Sequence, residues 1–290
     1  MFRTERVLAG LGIRFPSWCR IAAAAATLLL ACAARADDAI RLTYLFSDGQ
    51  MPVTLQAFKA VLAEHPDLRG RVELAFVTES TRARLETETL ASTDVLVVDM
   101  MNEQMLDQVG AEHGLDLIAH VAARGAVLVV GVGLSATEKF TAKGAVFDER
   151  AHAYWQHSGF ANHVGLVKLA LTKAGIDGLE LPEPEPSLEL GYYYPDPHSP
   201  SGGRVFASWD EFDAWRAAAG KRRPGAPRIA VGFYKANYYS GDTEALDAVI
   251  AEIERQGAEA VPIFGYPGAL AFEALLLDEQ GEPRDRKSVV

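Results

Sequence analysis

Residues 228–264 read RIAVGFYKANYYSGDTEALDAVIAEIERQGAEAVPIF, and this stretch decides the fold. Arg228 to Tyr234 is an almost unbroken apolar run, the pattern of a buried strand. Asp242 to Gln256 carries Leu246, Val249, Ile250 and Ile253 at helical spacing, and Gly257 ends that helix. Ala260 to Phe264 is the next strand. The residues between the first strand and the helix, Lys235-Ala-Asn-Tyr-Tyr-Ser-Gly241, read as a loop at the C-terminal end of a parallel strand. Open α/β sheets present their ligand-contacting groups at that end.

Upstream lies GYYYPDPHSPSGGRVFASWDEFDAW, from Gly191 to Trp215. Side chains alternate across a strand, so Tyr192, Tyr193 and Tyr194 are not expected to share one buried face. Some of them should be exposed or line a groove, where flat rings suit a planar ligand. Packing against a neighbouring domain is the alternative. Ser208 followed by Glu211 is a capping box for a helix from Trp209 to Ala219, with Phe212 and Trp215 on its apolar face. The Lys221-Arg-Arg-Pro-Gly225 run reads as a solvated hinge.

An ordered series of segments resembles the N-terminal region of the cobaltochelatase large subunit (CobN) and magnesium-chelatase H-subunit family. They are Ala153-Tyr-Trp-Gln-His-Ser-Gly-Phe-Ala-Asn162, Gly191-Tyr-Tyr-Tyr-Pro195, Phe206-Ala-Ser-Trp-Asp-Glu-Phe212, Arg228-Ile-Ala-Val-Gly-Phe-Tyr234, Tyr239-Ser-Gly-Asp242 and Gln256-Gly-Ala-Glu-Ala-Val-Pro-Ile-Phe264. The resemblance implies a metal-chelatase large subunit that binds a tetrapyrrole (corrin or porphyrin). Cobalt, magnesium or iron would be the metal substrate, and cytoplasmic members work with ATPase chelatase subunits. The family's metal-handling residues fall mostly beyond residue 290, so no catalytic residue is assigned. Tyr193, His198, Tyr234 and Asn237 are the candidate tetrapyrrole-binding residues. A second reading is a tetrapyrrole- or metal-binding module without catalysis, serving a TonB-type uptake system.

Before this region, strands alternate with helices. Ile40–Phe46, Val72–Val77, Val95–Val98 and Val127–Val130 are strands; Val53–His65, Arg82–Leu90 and Asn102–His113 are helices. Alternation implies parallel pairing with right-handed crossovers. The fold class is therefore α/β: a flavodoxin- or Rossmann-like parallel unit, a mainly helical middle segment, and the start of a second α/β unit. The expected bounds are 37–147 for the first unit, 148–226 for the helical segment with its Pro-rich linker and Tyr-rich loop, and 227–284 for the second. Gly131-Val-Gly133-Leu-Ser-Ala136 approximates a dinucleotide fingerprint, but it follows the last buried strand and lacks the third glycine, which favours a plain turn. Asp99 ends a buried strand, where either a ligand contact or a turn is expected.

Arg150 to Ala174 reads as helix interrupted at Gly159, and it holds His152, His157 and His163. Intervals of five and six do not place them on one helical face, so ordinary hydrogen-bonded side chains are expected rather than a metal or haem site. Leu181-Pro-Glu-Pro-Glu-Pro186 is an extended, stiff linker.

The formal charge is −11. Residues 1–36 carry five Arg and one Glu, so the remainder is more acidic still. Such a surface repels phosphate backbones and argues against nucleic acid as partner. A basic n-region, the apolar run Ile21–Leu30 and Ala34-Arg-Ala36 make a signal peptide, with a periplasmic mature protein from Asp37. Acylation at Cys32 within Leu29-Leu-Ala-Cys32 is the rival. Both cysteines, Cys19 and Cys32, lie in that segment, so no disulfide or thiolate site is expected after it. The tail Asp285-Arg-Lys-Ser-Val-Val290 matches one frame of a common sequencing adapter. It is expected to be non-native, leaving the helix Ala269–Leu277 without the strand that should bury its face.

Overall fold

A computed structural model describes residues 39–99, 103–130, 134–199, 202–278, 280–284 and 287–289. The expected signal peptide, Cys32, Asn102, Gly131–Gly133 and the tail residues Asp285, Arg286 and Val290 lie outside the described residues.

The first sheet is fully parallel. It comprises β1 (Ile40–Leu45), β2 (Val72–Val77), β3 (Val95–Asp99), β4 (Ala126–Val130) and β5 (Val146–Phe147), ordered β2-β1-β3-β4-β5. That is the doubly wound, flavodoxin-like order. Alternation along each strand feeds two cores. Leu42, Tyr44, Val95, Val97, Leu128 and Val130 face one side; Leu45, Leu96, Val98, Val127 and Val129 face the other. Burial on both faces is why these strands read as continuous apolar runs.

The first core is closed by α1 (Met51–Glu64); α2 (Thr87–Ala91), α3 (Glu103–His113), α4 (Leu117–Ala122) and α5 (Leu134–Thr141) lie on the other side. The interrupted helix forms as α6 (Glu149–His157) and α7 (Gly159–Lys173), and both add to the α1 side of the first sheet. Ser158 stands between them at φ 51°. Gly165 allows the close crossing, because a Cβ there would overlap the Tyr154 ring.

The second sheet comprises β6 (Gly191–Pro195), β7 (Gly203–Phe206), β8 (Arg228–Phe233), β9 (Glu259–Phe264) and β10 (Lys287–Val289), ordered β10-β8-β9-β6-β7. β8, β9 and β10 are parallel, while β6 is antiparallel to both β7 and β9. α8 (Trp209–Ala218) follows the hairpin. α9 (Lys235–Ser240) and α10 (Glu244–Arg255) connect β8 to β9, and α11 (Gly268–Leu276) follows β9.

Three expectations are corrected. The Tyr-rich segment is a strand and not a loop, and all three tyrosines are buried. β6 is flanked on both edges and covered on both faces, so alternation exposes none of them. Tyr192 stacks on Phe212 at 5.1 Å and donates to Leu275 O at 2.5 Å. Tyr193 meets Phe233 edge-on and donates to Asp247 Oδ1 at 2.7 Å. Tyr194 packs on Trp215 and donates to Glu254. Burying such a ring stabilises by about 1.5–3 kcal/mol. Next, Lys235–Ser240 is a short helix and not a loop, closed by Gly241 in the left-handed region at φ 78°. Finally, one face of α11 is covered, since Ala271, Leu275 and Leu276 pack against β9 and β6, while Leu270 stays 59% exposed.

A buried ion pair ties α8 to β9. Arg216 is 0% exposed, and its Nη2 lies 2.9 Å from Glu259 Oε2. Arg228 Nε is 3.3 Å from the same carboxylate, and the Arg223 amide donates to it. Burial alone would raise the Glu259 pKa. The Arg223 amide and the two guanidiniums outweigh it and hold the carboxyl below its usual range. The basic run is therefore exposed yet anchored: Arg222 pairs with Asp213, and Arg223 reaches Glu254 O at 2.6 Å.

Candidate functional site: an aromatic cleft at the ends of β8 and β9

A cleft of about 340 Å³ opens at the C-terminal ends of β8 and β9. Its floor is made by Gly232, Phe233, Ile263 and Phe264, and Ala271 and Phe272 of α11 close one side. Two tyrosines stand at its rim: Tyr234 is 72% exposed and Tyr266 86%, and Leu270 of α11 is also exposed, at 59%. Large apolar groups left this open at a strand end are unusual, since folding alone would favour burying them.

Glycines shape the cleft. Gly265 sits at φ 158°, and a Cβ there would lie 2.6 Å from Ala271 Cβ and 2.9 Å from Leu190 Cβ. Only glycine lets the chain leaving β9 pack so closely, which sets Tyr266 at the rim. A Cβ on Gly232 would come within 3.2 Å of Phe272 Cζ, so the floor is bare backbone beneath an aromatic edge. Next to Tyr234, Lys235 Nζ lies 2.8 Å from both carboxylate oxygens of Glu189.

The four candidate residues do not converge. Tyr234 lines the cleft. Asn237 is half-buried on α9, and its carbonyl accepts from Gly241 N and Asp242 N to close that helix. Tyr193 lies behind Phe233 with its hydroxyl committed to Asp247, and burial pushes its pKa up. His198 is exposed, and its amide donates to Asp196 Oδ1 at 2.9 Å. It sits in the β6–β7 turn. Because Gly191 pairs with Phe264, β6 runs away from the cleft, and that turn leaves from the opposite end of the strands. Tyr266, Gly265 and Leu270 were not singled out from sequence. The signal was present in Gly265-Tyr-Pro-Gly268, a turn at a strand end like the one that pointed to Tyr234.

Elsewhere, Asp99 is buried at the end of β3. The three histidines of α6–α7 stay apart. His152 packs on the Phe147 ring, His157 Nδ1 accepts from Ser187 N at 3.3 Å, and His163 is buried between Thr54 and Ser158. Among the described residues, no group of three His, Cys, Asp or Glu side chains could hold a metal ion.

The chain is thus an α/β protein with a parallel sheet, a mixed sheet, and an aromatic cleft at the ends of β8 and β9 in the second. Residues 152–284, which contain that whole cleft, match the family described as CobN/Magnesium Chelatase. That segment is thus CobN-like. It is similar to the aerobic cobaltochelatase subunit CobN of Sinorhizobium sp, with 30% identity over 130 residues, 44% of this chain. The chain spans about a tenth of that relative's length. The catalytic subunit of cobaltochelatase from Mycobacterium tuberculosis aligns with a TM-score of 0.46 and 18% identity, over 79% of this chain and 16% of that one.

Proposed function

We propose that the chain is part of a metal-chelatase large subunit, and that its cleft binds a tetrapyrrole, corrin or porphyrin, whose metal is inserted or removed. The observation that carries this reading is the pair of exposed tyrosines, Tyr234 and Tyr266, over an apolar floor inside the segment that matches the family. Flat rings stack on flat rings, and each such contact contributes about 0.5–1.5 kcal/mol beyond the area buried. A cleft of about 340 Å³ accepts one edge of a macrocycle and not the whole ring. Binding is then edge-on, with the rest of the ring outside these residues. Cobalt, magnesium or iron is a substrate of the complete reaction, and ATPase subunits are partners of the cytoplasmic chelatases.

The test is an absorbance titration of the purified chain with a metal-free porphyrin and with a corrin. A shifted Soret band for the porphyrin, weakened about three- to tenfold by Tyr234→Ala or Tyr266→Ala, is the expected result. Binding that both variants leave unchanged would remove the cleft from the function.

A further inference from the structure

A second cavity, of about 510 Å³, lies on other elements. It is walled by Val53 of α1, Ser158 and Phe160 at the start of α7, Ser187 of the linker, and Tyr238 and Tyr239 of α9. The aromatic cleft contributes nothing to it.

Ser158 stands out chemically. Its φ of 51° and ψ of −160° fall close to a region that essentially only glycine occupies, which costs the fold stability. The hydroxyl does not offset that cost by capping α7, because it makes no capping hydrogen bond. It lies instead 3.3 Å from His163 Nε2. His163 Nδ1 lies 3.0 Å from Thr54 Oγ1, and Thr54 Oγ1 donates to the Gln50 carbonyl at 3.1 Å.

The last of these bonds orders the chain. With its proton spent on Gln50, Thr54 can only accept, so His163 carries its proton on Nδ1. The Nε2 lone pair then faces Ser158, and the serine donates to it. This is the arrangement of a nucleophile, a base and a group that holds the base in the right tautomer. Thr54 does the holding without a charge and is a positioning residue. Ser158 is also the residue ahead of α7, whose first residues, 159–161, line the same cavity. A nucleophile on a strained turn ahead of a helix N-terminus has amides at hand for a developing oxyanion.

We propose that Ser158 is a nucleophile activated by His163, and that this cavity takes carboxylic esters with a small apolar or aromatic acyl group. In the first step Ser158 Oγ bonds to the acyl carbon, its proton passes to His163 Nε2, and the ester C–O bond breaks as the leaving alcohol takes that proton. In the second, water attacks the acyl-serine, gives a proton to His163 Nε2, and that proton returns to Ser158 as the acid departs. Atoms and electrons balance with water as the only co-reactant. His163 is buried and its pKa is pushed down to about 4, so it is neutral and able to accept across the neutral range. A base that weak makes turnover slow, and the acyl and phosphonyl adducts should be easier to detect than steady-state product.

The experiment treats the whole chain with a fluorophosphonate probe and, separately, with p-nitrophenyl acetate, and reads adducts by intact mass and peptide mapping. The expected result is one adduct per chain on Ser158. Ser158→Gly should give none while folding at least as stably as the parent, because glycine relieves the strained φ. His163→Gln, folded by circular dichroism, should label about a hundredfold more slowly, the lower end of what a positioned base contributes. Labelling by the parent should be level from pH 6 to 8 and fall below about pH 5. An unlabelled parent, adducts elsewhere, equal labelling of Ser158→Gly, or a His163→Gln rate equal to the parent's would each overturn the proposal.

Discussion

Lowering the pH from 7 to 4 should weaken the fold through His163. The ring is 1% exposed, and its polar contacts, Thr54 and Ser158, are uncharged hydroxyls. Burial therefore sets the direction, and it pushes the pKa down to about 4. In an unfolded chain the value is about 6.5. Between those two pH values the unfolded chain binds a proton that the folded one does not. The stability is present in full above about pH 6.5 and is lost as pH falls towards 4. One pKa unit is about 1.4 kcal/mol, so the 2.5-unit gap corresponds to about 3 kcal/mol. That is a large share of the ~5–15 kcal/mol by which domains are stable. The assay is urea unfolding at steps from pH 7 to pH 4, on the parent and on His163→Gln, which keeps a hydrogen-bonding side chain but cannot titrate. Carboxylates with lowered pKa values, such as Glu64, Asp148 and Glu259, act in both proteins and cancel in the difference. The parent should lose about 3 kcal/mol more than the variant. Parallel curves for the two proteins would refute the reasoning.

Three further outcomes follow from the packing. Glu259→Gln leaves Arg216 buried without its counter-charge and should cost about 3–5 kcal/mol in urea unfolding, because removing one partner of a buried pair strands the other. Gly165→Ala forces a methyl group into the Tyr154 ring and should cost about 1–3 kcal/mol, read as a lower Tm. Tyr192→Phe removes the hydrogen bond to Leu275 O while keeping the stack on Phe212, so it should lose only about 0.5–1.5 kcal/mol in the same melts.

Much of the fold could be read from local patterns. β1 to β4, β8, β9 and α10 sit within one or two residues of where apolar runs and helical spacing put them. What escaped was short or set by tertiary contacts. α4 has six residues and one visible sign, Asp116, whose carboxylate caps it by accepting from Ala119 N at 3.3 Å. β7 is four residues whose pairing with β6 comes from the register Tyr192–Phe206 to Pro195–Gly203. The tyrosine triplet misled because alternation says which face a side chain takes, not whether that face is covered. At the cleft, the apolar run put Tyr234 at the end of a buried strand, yet the ring stands 72% exposed. Local pattern could not tell that Tyr193 would turn inward or that His198 would emerge at the far end of the sheet, since both depend on the direction of β6.

The Pro-rich segment between the sheets shows why composition alone gives the wrong mechanics. Read as a stiff spacer, residues 181–186 would owe their shape to proline. In the fold they are tied down along their length by α6 and α7. Arg150 Nη2 reaches the carbonyls of Leu181 and Pro182 at 3.2 Å each, and the Tyr154 hydroxyl also donates to Pro182 O. Asn162 donates to Glu185 O and accepts from Glu185 N, both at 2.8 Å, so its amide pairs with the strap as a neighbouring strand would. Three proline nitrogens in this stretch cannot donate, so its carbonyls need donors from outside, and buried or half-buried side chains of α6 and α7 supply them. The same Asn162 lies one turn beyond Ser158, and its Nδ2 also reaches Ser158 O at 2.7 Å. The strap, the strained turn and the wall of the second cavity are thus fixed by one side chain, so the Ala153–Asn162 segment acts as a joint that positions its neighbours, Ser158 among them.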